Sequence, residues 1–159
     1  MIARIWHSKP SLEEQESLAE VASHLLEECR MVLPGIQALF GFQLIAVFNG
    51  TFWELPSADR MIHLFAITLV TVAIALVMTP AAYHRQVHQN CISRRFIAIS
   101  SRLLLFSMFP LMLGICLDFH VISTMILGNR EGSLAITAIL AVIFIGLWIV
   151  FPRLARAAR

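Results

Sequence analysis

The chain carries little charge for its length. Of its 159 residues, 14% are Asp, Glu, Lys or Arg, whereas 58% are hydrophobic. This composition lies outside the range of soluble globular domains and indicates a protein embedded in a membrane. The formal net charge of +2 is too small to indicate a nucleic-acid partner.

Cysteine is also scarce, with only Cys29, Cys91 and Cys116 in the chain. The number is odd, and the topology predicted below places two of them on a reducing side and one within the membrane. We therefore expect no disulfide framework.

Signals of catalysis, secretion and internal repetition are missing as well. No predicted helix presents a nucleophile–base pair or paired carboxylates, so we expect neither an enzyme nor a cofactor. The first apolar run begins near Met31, after an acidic segment, and is longer than a signal-peptide core, so we expect the first span to act as the insertion signal. Polar residues in the two halves do not correspond, which disfavours an inverted-repeat transporter.

Long apolar stretches dominate what is present. They cover residues 32–51, 61–82, 103–127 and 133–152, and a helix needs roughly 20 residues to cross the hydrocarbon core of a bilayer. Lipid offers no partner to an open backbone group, so each stretch should be a helix. The sequence predicts an all-α integral membrane four-helix bundle, with its transmembrane domain at residues 32–152.

The basic residues are distributed unevenly between the predicted connections. Ten of the twelve Lys and Arg residues lie before the first span, between spans two and three, or in the basic tail 153–159. Short loops rich in Lys and Arg remain in the cytoplasm. We therefore predict that both termini are cytoplasmic, in a bacterial inner membrane.

Residues 1–31 are predicted to form a cytoplasmic amphipathic helix. Ser11 and Glu14 have the spacing of a capping box, and apolar residues then recur at helical spacing towards the first span. We favour a helix lying on the cytoplasmic ends of its own bundle, because its acidic face suits anionic headgroups poorly. The alternative is a regulatory helix that binds a partner.

Asp118 is the leading candidate for a functional residue. It lies within the third span, where a charged carboxylate costs about 2.5–3.5 kcal/mol on insertion scales and needs a partner. Ser100, Ser107, Gly114 and Asp118 follow one another at helical spacing and could line a proton or cation path. A structural carboxyl group, hydrogen-bonded to a neighbouring helix, is an equal alternative.

Two residues near the outer side lie at a depth similar to that of Asp118. They are Asn49, at the end of the first span, and His63, at the start of the second. An Asn49–His63–Asp118 cluster could accept protons or sense pH, since histidine titrates near neutrality. The alternative is a histidine in contact with interfacial water.

His120 is separated from Asp118 by about 200° around the helix and shares a face with Cys116, Ser123 and Thr124 instead. Paired with His63, it offers the only plausible axial ligands for a haem, a weaker hypothesis.

Gln37 and Gln43 in the first span are about 120° apart on the helix. They cannot both line one narrow face, so we interpret them structurally, with one hydrogen-bonding to another helix or subunit.

Charged and polar residues flank the predicted cytoplasmic ends of spans one and two. They could form the inner mouth of a path, although ordinary solvated flanks are the stronger interpretation. The residues are Glu27, Glu28, Arg30, His84 and Arg85.

His84, His88 and Cys91 have a spacing that could ligate a metal, but three arginines lie nearby. We favour a basic collar that touches phospholipid headgroups.

Two segments carry a resemblance to a known family: LLEECRMVLPGIQALFGFQL at residues 25–44 and TPAAYHR at residues 79–85. With them, the chain resembles an uncharacterised family of small bacterial four-span membrane proteins, sometimes labelled sodium/proton-antiporter-like. The resemblance covers roughly residues 20–125 and implies four spans, but no established activity. The matching positions are Glu27, Glu28, Arg30, Pro34, Gly35, Gln37, Pro80, Tyr83, His84 and Arg85.

Together these features predict a small membrane protein that conducts, transports or senses protons or monovalent cations. Four short spans leave little polar interior, so we expect a homo-oligomer with any path between subunits. The alternative is a non-catalytic scaffold or accessory subunit that binds a partner through its N-terminal helix and basic loop.

Overall fold

A computed structural model describes residues 12–87 and 93–157, and most of them are helical. Four long helical segments follow one another along the chain, and the last contains a π-helical turn between two α-helices. The elements are α1 (Leu12–Val47), α2 (Gly50–Trp53), α3 (Ser57–Val87), α4 (Arg94–Leu127), α5 (Arg130–Ile145), the π turn (Gly146–Val150) and α6 (Phe151–Ala157).

Four helical segments are long and apolar enough to cross a membrane, which confirms the predicted fold class at that level. They cover Glu16–Val47, Ser57–Gln86, Arg94–Leu127 and Arg130–Ala157. Large apolar side chains on their outer faces are exposed, among them Phe42, Ile126 and Val142. An apolar exterior of this extent suits lipid rather than water.

The helices extend beyond the predicted spans. Helix α1 continues without a break through Pro34, and α3 continues past Pro80 to Val87. The predicted boundary at residue 31 is thus not a break in secondary structure. The predicted cap at Ser11 lies outside the described residues, as do His88 and Cys91.

Helices α3 and α4 pack in antiparallel fashion along their length. The rings of Tyr83 and Phe96 stack near one end, and Gly114 lies against Val70 in the middle. A Cβ atom at Gly114 would lie 2.8 Å from Val70 Cγ2 and 3.1 Å from the Ala66 carbonyl oxygen. Glycine therefore permits this close approach. Helix α4 also contacts α1 and α5, so it lies at the centre of the structure.

The helix ends carry local caps. The Asn49, Ser93 and Asn129 side chains accept hydrogen bonds from the first turns of α2, α4 and α5. Gly128 adopts a left-handed conformation with φ of 62°, and its N–H donates to the Thr124 carbonyl to end α4. We call the end formed by residues 48–56 and 128–129 the short-connection end. The opposite end, with arginines 85, 94, 95, 102, 153 and 156, is the arginine-rich end.

Candidate functional site

Three polar side chains from three helices meet inside the protein. Gln43 of α1, His63 of α3 and Asp118 of α4 are 4%, 7% and 9% exposed. At a helical rise of about 1.5 Å per residue, they lie about 6–14 Å along their helices from the short-connection end. We call them the Gln–His–Asp cluster. Burial of polar and ionisable side chains within membrane-length helices costs free energy, so a group of this kind is a candidate functional site.

Each member of the cluster bonds to the other two. His63 Nδ1 lies 2.8 Å from Asp118 Oδ1, and His63 Nε2 lies 3.1 Å from the Gln43 backbone oxygen. The Gln43 side-chain amide donates to Asp118 Oδ2. The two carboxyl oxygens of Asp118 thus face different helices, and the cluster ties α1, α3 and α4 together.

The partners of His63 fix how many protons the cluster holds. The Gln43 backbone oxygen can only accept, so His63 Nε2 carries a hydrogen. Along the other bond, either His63 Nδ1–H donates to the carboxylate, or a protonated Asp118 donates to Nδ1. Both arrangements are neutral overall and contain one shared proton, and loss of that proton leaves one net negative charge in the interior.

The Gln43 side-chain oxygen could accept a further hydrogen bond. Its Oε1 atom is buried and has no hydrogen-bond partner among the described residues. An unpaired buried acceptor costs roughly 1–3 kcal/mol. Rotation of the amide would turn this acceptor towards Asp118, so Gln43 can donate to the carboxylate or accept from the carboxylic acid.

Aromatic and aliphatic packing closes the cluster on two sides. The Phe52 ring of α2 lies 5.2 Å from the His63 ring towards the short-connection end. Towards the arginine-rich end, the Gly114–Val70 contact brings α3 and α4 together. Ser107 lies further along α4 and is buried, with its hydroxyl donating to the Leu104 carbonyl at 2.7 Å. Close packing of α3 against α4 at Gly114 therefore limits access to the cluster from this direction.

His120 belongs to a separate buried network between α4 and α5. Its Nδ1 lies 2.9 Å from Ser133 Oγ, and that hydroxyl lies 2.6 Å from Ser123 Oγ. Thr124 also donates to Ser133, at 2.9 Å. His63 and His120 are thus held by different partners. Within residues 12–87 and 93–157, His, Cys, Asp and Glu do not form a group of three that could hold a metal ion.

An ion pair links the first turns of α3 and α5 at the short-connection end. Arg130 donates from a terminal nitrogen to Asp59 Oδ1 at 2.9 Å. The Asp59 side chain is 5% exposed and that of Arg130 57%. The pair therefore has one buried and one solvated member, and it joins the start of α3 to the start of α5.

The predicted site residues are distributed as follows. His63 and Asp118 are brought together, whereas Asn49 is exposed and its side chain accepts from the Thr51 N–H at 3.2 Å. Asn49 therefore caps α2 rather than joining the cluster, and Gln43 takes the expected third position. The signal that could have identified Gln43 is its position: Gln43 and His63 lie on either side of residues 48–56 at similar depth.

The predicted inner-mouth residues lie at or near the arginine-rich end. Glu27, Glu28, Arg30 and Arg85 are exposed, and His84 is half-buried with its ring 5.7 Å from that of Phe96. Among the described residues, the structure gives no ion pair between these side chains. Their role at the mouth of a path stays a prediction.

Comparison with known proteins places the chain in a family. The model of a family of unknown function, DUF6328, matches residues 13–152. The chain belongs to this family. The match covers all three residues of the Gln–His–Asp cluster, the first three membrane-length helices, and the fourth as far as Pro152. No curated protein and no solved structure matches the chain.

Proposed function

We propose that the protein resides in the bacterial inner membrane and transports or senses protons or monovalent cations through the Gln–His–Asp cluster. The carrying observation is the 2.8 Å contact between His63 Nδ1 and Asp118 Oδ1, a hydrogen bond that requires one proton between the two atoms. A proton held between two groups of this kind can be gained or lost without unfolding the protein. Gln43 provides a bond to either state of the carboxyl group.

Release of that proton creates a site with the chemistry of a cation ligand set. The ionised Asp118 carboxylate, the free Nδ1 lone pair of His63 and a rotated Gln43 Oε1 would all present acceptors to the same space. A monovalent cation could then balance the buried negative charge. Exchange of a proton for a cation therefore needs no residue beyond the cluster.

The packing around the cluster favours binding with alternating access over an open pore. Phe52 covers His63 on one side, and Gly114 packs against Val70 on the other. A proton would have to leave the cluster through a rearrangement of this packing, or along a contact between copies of the chain. We propose that the working unit is a homo-oligomer, because four short spans leave little polar interior within one copy.

Orientation follows from the arginines. Short loops rich in Lys and Arg stay in the cytoplasm, so the arginine-rich end is proposed to be cytoplasmic and the short-connection end periplasmic. The cluster then lies in the outer half of the membrane, closer to the periplasm.

The test is ion flux in proteoliposomes with a trapped pH dye and imposed Na⁺ or K⁺ gradients. Wild type should move protons or cations above empty liposomes, and Asp118→Asn should reduce the flux to background. His120→Gln is the matched control, since it alters a buried histidine of α4 that does not touch Asp118. Equal flux for wild type and Asp118→Asn, or no flux from folded, inserted wild type, would contradict transport through the cluster.

A second candidate is a scaffold or accessory subunit. It is favoured by the exposed acidic side chains along the first half of α1, which include Glu16, Glu20, Glu27 and Glu28. This candidate predicts that Asp118→Asn is tolerated in cells and that deletion of residues 11–28 abolishes capture of a partner. The proton-binding function predicts the opposite: Asp118→Asn should impair function in cells more than deletion of residues 11–28 does.

A further inference from the structure

An apolar groove with a basic rim extends from the arginine-rich end to Met112 in the middle of α4, and its lining does not include the Gln–His–Asp cluster. It runs between α4 and the π turn with α6, and its volume is about 340 Å³. Leu105, Phe109 and Met112 line one wall, and Trp148 lines the other. The volume falls within the range of small-ligand sites.

The π turn shapes the groove. The Phe151 N–H donates to the Gly146 carbonyl, five residues back. Pro152 has no N–H to continue the α-helical pattern, and the wider turn accommodates this loss. Trp148 lies within the wider turn, with its ring 4.8 Å from that of Phe144. Such π turns occur frequently at functional sites.

The rim of the groove is cationic. Arg153 and Arg156 both contribute to its lining and are exposed. Arg102 lies one turn before Leu105 on α4, on the same side of the membrane-length helix. An occupant must therefore be apolar along most of its length and negatively charged at one end.

We propose that this groove binds one anionic phospholipid, with an acyl chain against Trp148 and the α4 wall and the phosphate against Arg153 and Arg156. A second copy of the chain fits less well. Copies in one membrane share an orientation, so a copy seated in this groove would bring its own arginines to the level of Arg153 and Arg156 and be repelled there, and a homo-oligomer would use another face. An anionic lipid satisfies both the apolar walls and the charged rim.

Trp148 provides a direct probe of occupancy. The chain has three tryptophans, so Trp6→Phe with Trp53→Phe leaves Trp148 as the only one. In phosphatidylcholine nanodiscs, a phosphatidylglycerol with brominated acyl chains should quench Trp148 at a mole fraction on the order of tenfold lower than brominated phosphatidylcholine, because two arginines favour the anionic headgroup. Equal quenching by the two lipids would overturn the proposal.

Charge variants locate the headgroup. Arg153→Gln with Arg156→Gln should abolish the preference for phosphatidylglycerol. Arg85→Gln with Arg95→Gln is the matched control, because it removes the same charge from the same end outside the groove, and it should keep the preference. Retention of the preference in the first variant, or its equal loss in both, would overturn the proposal.

Two measurements on proteins with the rim arginines intact complete the test. High salt should lower the preference at Trp148 towards the phosphatidylcholine level, since exposed charges are screened. A protein with Trp53 as its only tryptophan reports on the short-connection end and should show no preference. A salt-independent preference at Trp148, or the same preference at Trp53, would contradict a site at the groove.

Discussion

His63 Nδ1 and Asp118 Oδ1 lie 2.8 Å apart, and each side chain comes from a different membrane-length helix. Their residues are 55 positions apart in sequence, so the contact depends on the antiparallel packing of α3 and α4. This bond requires both the packing of α3 against α4 and a proton between the two side chains, so the tertiary structure depends on whether that proton is present. The first prediction below tests that coupling through stability.

The His63–Asp118 pair should behave as an energetic unit. His63→Leu or Asp118→Leu leaves the other group buried without its partner, and each should lower the free energy of unfolding by roughly 1–3 kcal/mol. The double variant should be more stable than the sum of the two losses predicts. Unfolding in mixed micelles would measure the cycle. Additive losses would show that the two residues do not interact.

The Asp59–Arg130 pair should stabilise the short-connection end asymmetrically. Arg130→Gln leaves the Asp59 carboxylate, which is 5% exposed, without its cation, and we expect a loss of roughly 1–3 kcal/mol. Asp59→Asn leaves only a solvated arginine and should cost less. Thermal unfolding in detergent would rank the two variants, and the opposite ranking would argue against the pair as described.

Gly114→Ala should loosen the contact between α3 and α4. Its Cβ would lie 2.8 Å from Val70 Cγ2, and overpacking of this kind costs roughly 1–3 kcal/mol. Gly41→Ala is the control, because a Cβ there meets no atom within 4 Å. Adding Val70→Ala to Gly114→Ala should recover part of the loss. Similar stability of the Gly114 and Gly41 variants would contradict the close approach.

Membrane orientation is testable by cysteine labelling. In a cysteine-free background, an impermeant maleimide added to spheroplasts should label cysteines at Glu54 and Glu131, which are exposed at the short-connection end. Cysteines at Arg95 and Ala157 should react only after lysis. The reverse pattern would place the arginine-rich end outside and move the cluster to the cytoplasmic half of the membrane.

The helices were predictable because they depend on local composition. Apolar stretches of 20 or more residues have one stable backbone conformation in lipid. The helix ends were less predictable. The second span was predicted to cover residues 61–82, but α3 continues past Pro80 to Val87. Proline is tolerated within membrane helices because neighbouring groups compensate for its missing hydrogen bond.

The candidate site was predictable in part. Depth along the spans indicated that His63 and Asp118 could meet, because each residue lies a known number of positions from a short connection on the same side of the membrane. The third partner depended on the rotation of α1 about its own axis. Sequence gives the angle between Gln37 and Gln43, but not which of them faces α3 and α4. The Asn49 side chain caps α2 instead of joining the cluster.

The most direct test of the central claim is an infrared difference spectrum of the protein in lipid between high and low pH. The account predicts a carboxyl signal from the shared proton that disappears in Asp118→Asn and shifts in His63→Gln, while His120→Gln leaves it unchanged. A spectrum that is the same in wild type and in Asp118→Asn would contradict the claim that this pair exchanges a proton.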